Sequence, residues 1–273
     1  MLRGAGRVAL AVLLRLLVLV DRSRFAARLA DRPLARHLAE DAHGRIRRWG
    51  VWFELNLNDN VQRTFYYTGW YERPFLEFLR GQLRPGDTYI DVGAHVGIDA
   101  AFVAHLTPSG KVVAFEPAPD TVALLRKSVG RLRNVEVVPV ALGDAPGTLT
   151  LRANPNWHLE DAATRSRFGS GPAVCEAQVV RFDEWATDLT GMDIVKIDVE
   201  GGELDVLKGM SASLRRWQPR VVAVEMHEAR LRGGRPAEVE IVDLLGDVGY
   251  VREQTIANNA IFHRRSVDGA DRH

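Results

Sequence analysis

The chain of 273 residues has one cysteine, Cys175. One cysteine closes no internal disulfide and supplies no CxxC metal pair, so a disulfide framework and a zinc ribbon are excluded and a reducing, cytoplasmic setting fits. Lysine is scarce: Lys111, Lys127, Lys196 and Lys208 are the only ones among 36 basic residues. Neither charge sign is in excess, with 35 acidic residues and a net charge of +1. Nucleic-acid binding needs a basic field, and its absence argues against a nucleic-acid partner. Long hydrophobic runs are missing too. Val8–Val20 is interrupted by Arg15 and falls short of the ~20 apolar residues that span a bilayer. It resembles a signal peptide in outline, but no A-x-A cleavage site follows. The spacing from Val8 to Glu40 predicts a partly amphipathic helix that packs on its own domain, with membrane-surface contact as the alternative.

What is present is a core and a βα rhythm. Hydrophobic residues make up 46% of the chain, enough for one large domain with an extension. The expected division is an N-terminal helical extension at 1–45, a β/helical lead-in at 46–86 and a main domain at 87–265. In the lead-in, Phe53, Leu55 and Leu57 alternate with polar residues as in a strand, and "VQRTFYY" (61–67) reads as a returning strand. A helix follows with Pro74 in its first turn. From residue 88 apolar strands alternate with helices, which predicts an α/β fold with a mostly parallel, doubly wound sheet and a C-terminal antiparallel hairpin around "ANNA". Asp183 is expected to cap a short helix, and residues 154–173 read as a long polar loop of the kind that serves function.

In such sheets ligands bind beyond the carboxyl ends of the strands. The first end reads "DVGAHVG", Asp91 to Gly97, a glycine loop opening a helix. His95 holds the position of the second glycine of a dinucleotide fingerprint, where backbone must approach a pyrophosphate. An NAD-dependent oxidoreductase is therefore the lesser alternative, and a ligand without that pyrophosphate, such as S-adenosylmethionine, suits the loop better. Asp91, Gly93, Ala94, His95 and Gly97 are the candidate cofactor residues here. Glu116 ends the next strand, where an acid accepts from ribose hydroxyls. Asp144 ends the third as a candidate partner of an adenine amino group, with Ala141 and Leu142 as an apolar face. The fourth end, "VKIDVEGGE", carries three acids. Glu203 suits the first turn of the following helix, where the dipole favours a carboxylate. Asp198 and Glu200, two residues apart, would lean to one side if the backbone stayed extended. They are candidate catalytic groups, together with His227 in "EMHE" at the fifth end, the best-placed histidine for proton transfer.

"YIDVGAHVGIDAAFVA", "VVAFEPAPDT", "VALGD" and "IVKIDVEGGELDVLKGM", in this order, resemble the FkbM family of S-adenosylmethionine-dependent methyltransferases over about residues 64–263. The resemblance implies a Rossmann-like class I methyltransferase fold and O-methylation of a hydroxyl on a small molecule, sugar or natural product. By the same resemblance Glu72 approaches the amino-acid end of the cofactor. The family commonly has Asn where this chain has His95. Asp198, Glu200 or His227 would orient or deprotonate the acceptor hydroxyl, or the carboxylate pair would hold a divalent metal that acidifies it. A methyltransferase for nucleic-acid amines would show N/D-P-P-Y/F after the fourth strand, where "DVEG" stands instead.

Overall fold

The computed structural model describes residues 43–153, 165–166, 172–226, 231–232 and 235–265. The expected N-terminal helix, most of the 154–173 loop and His227 lie outside the described residues.

The lead-in begins as an antiparallel hairpin, β1 (His43–Arg48) and β2 (Val51–Asn56). The expected second strand at "VQRTFYY" is instead a helix, α1 (Asn60–Thr68). Its ends explain the difference. Asp59 caps it by accepting from Gln62 N at 2.7 Å, and Gly69 at φ 73° closes it. Aromatic content alone favours strand, but Phe65 stacks on Trp49 and meets Phe53 edge-on, so packing overrides propensity. Helix α2 (Arg73–Gln82) follows, with Pro74 in its first turn as expected.

The main sheet contains β3 (Thr88–Val92), β4 (Lys111–Phe115), β5 (Val135–Val138), β10 (Ile194–Ile197), β11 (Val221–Glu225), β14 (Tyr250–Ile256) and β15 (Asn259–Arg264). Their spatial order is β5-β4-β3-β10-β11-β15-β14. The first five run parallel, and β15 is antiparallel to both β11 and β14, the expected C-terminal hairpin. Strands buried on both faces explain the near-continuous apolar sequences. Alternate residues feed two cores. Tyr89, Val112, Ile194 and Val221 pack against α1, α2, α3 (Ile98–Leu106) and α4 (Pro119–Val129). Ile90, Val113, Val195 and Val222 pack against α5 (Phe182–Trp185), α6 (Glu203–Gly209), α7 (Ser211–Trp217) and α8 (Ala237–Asp247).

The expected third strand divides at residue 139. Ala141–Leu142 (β6) leaves the main sheet and pairs with β9 (Ala173–Val180), which pairs with β7 (Gly147–Ala153), itself paired to β8 (Arg165–Ser166), and the short β12 (Leu231–Arg232) and β13 (Arg235–Pro236) pair with each other. Asp183 does not cap α5, whose cap position is Arg181. Its carboxylate instead accepts from Ala212 N and Ser213 N at 3.1 and 2.8 Å, capping α7.

Candidate active site

Strand order reverses between β3 and β10, and the candidate residues gather at that switch point. Gly93 leaves β3 at φ 89°, and a Cβ there would lie 1.8 Å from the Asp198 carbonyl oxygen. Only glycine lets the loop and the end of β10 come this close. Gly93 N and Ala94 N both donate to Phe115 O at 2.9 Å, tying the loop to the end of β4. His95 then turns into the left-handed region at φ 51°. Its backbone N–H donates to Glu116 Oε2 at 3.0 Å, while Ala118 N donates to Oε1 at 3.0 Å. Both Glu116 oxygens are thus oriented by backbone, with acceptor capacity left for hydroxyls.

These residues line one cavity of about 430 Å³, within the range of small-molecule sites. Asp91, Gly93, Ala94, His95, Glu116 and Asp144 are in its wall, as are Ala141 and Leu142. Asp144 is exposed at its rim. Gly97 is not part of the lining. It packs behind, where a Cβ would meet Leu125 at 2.6 Å. Glu72 is also absent from the lining. Its carboxylate accepts from the buried amide of Asn259 at 3.0 Å, and burial first, then Asp198 and Asp99, raise it to about 7 against the pull of Lys196.

Asp198 and Glu200 come together, though not through extended backbone, because Glu200 sits at φ 57°. Glu225, ending β11, completes the group: one ligand atom from each of the three lies within 4.8 Å of the others. Burial, then the charge of Asp198 and a hydrogen bond with it, push the Glu225 carboxyl far above the carboxylate range. Glu203 holds its expected place in the first turn of α6, where Oε1 accepts from Gly201 N at 2.7 Å.

Beneath the acids sits Lys196. Its ammonium lies 2.9 Å from Asp99 Oδ2 and 3.1 Å from Asp198 Oδ2, with the Phe75 ring 5.6 Å away. Burial alone would lower its pKa, and Asp99 and Asp198 reverse that and hold it charged. Asp91 is 1% exposed, and its Oδ2 has no hydrogen-bond partner among the described residues. Burial and the charge of Asp99 raise its carboxyl.

Sequence reasoning missed Glu225, Lys196, Tyr71 and Asp59, all in the cavity wall. Glu225 was open to the strand-end rule that found Glu116. Lys196 announces itself as a charge inside an apolar strand. The wall fits a nucleoside with a charged tail: a backbone-oriented acid, a glycine loop without room for a Cβ, and an orphaned Asp91 oxygen.

A doubly wound sheet with an antiparallel final strand, and acids at successive strand ends around one cavity, define a Rossmann-like class I methyltransferase. Residues 91–252, more than half of the chain, match the Methyltransferase FkbM domain, and the chain belongs to that S-adenosylmethionine-dependent family. It is 27% identical to the 2-O-methyltransferase NoeI of Sinorhizobium fredii (strain NBRC 101917 / NGR234), over 59% of this chain and 72% of that protein. It is 32% identical to the 31-O-demethyl-FK506 methyltransferase FkbM of Streptomyces tacrolimicus, over 62% of this chain and 74% of that one. Among solved structures it is similar to the methyltransferase FkbM from Methylobacillus flagellatus KT, at 17% identity and a TM-score of 0.45, covering 75% of this chain and 53% of that longer one. Among the described residues no helix is long and apolar enough to cross a membrane.

Proposed function

We propose that this protein transfers a methyl group from S-adenosylmethionine to a hydroxyl of a small-molecule or glycan acceptor. The observation that carries the reading is the convergence of Asp198, Glu200 and Glu225 on one wall of the same cavity that holds the glycine loop and Glu116. The relatives support the acceptor class. NoeI is a 2-O-methyltransferase, which supports transfer to a hydroxyl, and AglP of Haloferax volcanii, 29% identical over 57% of this chain, is a hexuronic acid methyltransferase, which supports a sugar acceptor. The oxidoreductase alternative is not favoured, since His95 stands where a pyrophosphate needs glycine.

When bound, the cofactor supplies an electrophilic methyl on a sulfonium. The chain's own residues do the rest. Gly93 and Ala94 supply the close backbone, Glu116 takes the ribose hydroxyls, and Ala141 and Leu142 cover the base beside Asp144. Positioning alone contributes up to about 7–11 kcal/mol in favourable systems. Lys196 fixes Asp198 so that its carboxylate faces the acceptor hydroxyl and takes its proton as the methyl–sulfur bond breaks and the new C–O bond forms. Glu225 holds a proton and donates toward Asp198, and Glu200 orients the acceptor. Lys196 supplies a cation beside Asp198, and the three acids face the acceptor hydroxyl. The working unit extends over 46–265, with the lead-in closing one side of the cavity. The lone Cys175 suits a cytoplasmic location.

The test is transfer of a labelled methyl from S-adenosylmethionine into a panel of neutral and acidic sugars and polyols. The product is then treated with base. Alkali-stable label on oxygen supports the reading. Label on nitrogen, alkali-labile ester label, or calorimetric binding of NAD without S-adenosylmethionine overturns it.

A further inference from the structure

The cavity is short of positive charge. Among the described residues eight carboxylic acids line it, from Asp59 to Glu225, and although the chain has only four lysines among its 36 basic residues, none of these described wall residues is an arginine. The basic side chains among the described wall residues are Lys196 and His95. Lys196 is 7% exposed and engaged by Asp99 and Asp198. An S-adenosylmethionine tail carries an ammonium, which such a wall welcomes, and a carboxylate, which it repels.

His95 is the remaining basic group, and the lead-in holds it. Its Nε2 lies 3.5 Å from Asp59 Oδ2. Asp59 is 3% exposed and is itself fixed, because its Oδ1 caps α1 by accepting from Gln62 N at 2.7 Å. Gln62 Nε2 also faces the ring nitrogen, at 3.5 Å, with the amide oriented by Asn56 N donating to Oε1 at 2.8 Å. That amide suits a neutral ring, and the full charge of Asp59 outweighs it. The imidazole side chain is 26% exposed. A protonated ring donates from both nitrogens, so with Nε2 turned to Asp59, Nδ1 is left for a ligand.

We propose that Asp59 is a positioning residue that holds His95 as a cation in the cavity wall, and that His95 takes the carboxylate of the cofactor's methionine tail. The inference rests on S-adenosylmethionine being the cofactor. It makes the lead-in part of the cofactor site, since Asp59 lies outside the matched family domain at 91–252. The charges around the ring agree. Burial alone would lower its pKa, but Asp59, then Glu116 and Asp198, raise it above the usual imidazole value. Those three acids, from the cap of α1 and the ends of β4 and β10, are the largest charged influences on it among the described residues.

Calorimetry with S-adenosylmethionine and with decarboxylated S-adenosylmethionine, which lacks only the carboxylate, tests this without an acceptor. In Asp59→Asn and in His95→Asn, the Kd for S-adenosylmethionine should rise on the order of tenfold or more, as for loss of a charge-assisted hydrogen bond. The Kd for the decarboxylated compound should stay within about twofold, inside the scatter expected when no such bond is lost. In the unmodified protein, the affinity for S-adenosylmethionine should fall as pH rises above the usual imidazole range, and that for the decarboxylated compound should not. Asn caps helices as well as Asp, and Asn tolerates the left-handed backbone of residue 95, so the two variants check each other's folding. Equal weakening of both ligands, or of neither, overturns the proposal. If the unmodified protein binds neither compound, the cofactor reading itself fails.

Discussion

Charge balance around Asp198 decides which acid does what. Lys196 stands against one of its oxygens, and Glu225 carries a proton beside it. The two acids should therefore respond differently to neutral isosteres. Asp198→Asn removes the proposed proton acceptor, and turnover of the acceptor found in the labelled-methyl screen should fall about 10²–10⁴-fold, with cofactor affinity retained. Glu225→Gln keeps a neutral hydrogen-bonding group and should cost only a few-fold. Steady-state kinetics on the pair checks this, and equal losses would return Glu225 to the ionised state. Glu72 gives a prediction in stability. Its folded value of about 7 lies above an ordinary 4.5, so the folded state binds the proton more tightly than the unfolded one. Stability from this group is greatest below about pH 4.5, falls as pH rises toward 7, and is level beyond. Glu72→Gln removes that fall. Its melting temperature should match the parent's near pH 4.5 and exceed it at pH 8 by about 2–6 °C, as for ~1–2 kcal/mol in a domain this size. Residues at strand ends were legible in sequence because the fold class dictates where strands point. Asp59 was not, because its partner lies 36 positions away and only the docking of the lead-in joins them.

Among elements, the turn between β3 and α3 carries the tightest constraint. Gly93 has both a left-handed φ and the Asp198 carbonyl where a Cβ would stand. Gly93→Ala must therefore separate β3 from β10 at the site itself. Cofactor binding by calorimetry should be lost, and the melting temperature should drop by several degrees, in line with ~1–3 kcal/mol of backbone strain. A Gly81→Ala control, with nothing within 4 Å of its added Cβ, should be neutral or slightly stabilising. The parallel strands and their helices could be read in sequence because period and burial coincide there: Val112 to Phe115 and Val221 to Val224 are apolar without interruption. Helix α1 could not be read the same way. Its buried positions include Gln62, Arg63 and Thr64, so the apolar period is broken. Arg63 is placed by bonds to the Leu57 and Asn58 carbonyls rather than by the hydrophobic effect.

For the whole molecule, the question is whether the lead-in is an accessory or part of the fold. Phe53, Leu55, Phe65, Phe75, Leu76 and Leu79 are each 1% exposed or less, and they share one core with Tyr89, Phe102, Leu125 and Ile194 of the α/β domain. Truncating one buried aromatic in such a core costs about 3–5 kcal/mol, and a domain of this kind holds only about 5–15 kcal/mol in all. Removing the whole lead-in uncovers one face of α3 and α4 and takes away the Phe75 ring that covers Lys196. A fragment beginning at residue 87 contains every matched family motif, yet it should not fold cooperatively. Its thermal transition should be absent or broad, with exposed apolar surface detectable by dye binding. The same fragment should bind no cofactor, because it lacks the surface against which the glycine loop and Lys196 are set. A sharp transition and parental affinity for the cofactor in that fragment would instead make residues 43–86 a cover over a site complete without them.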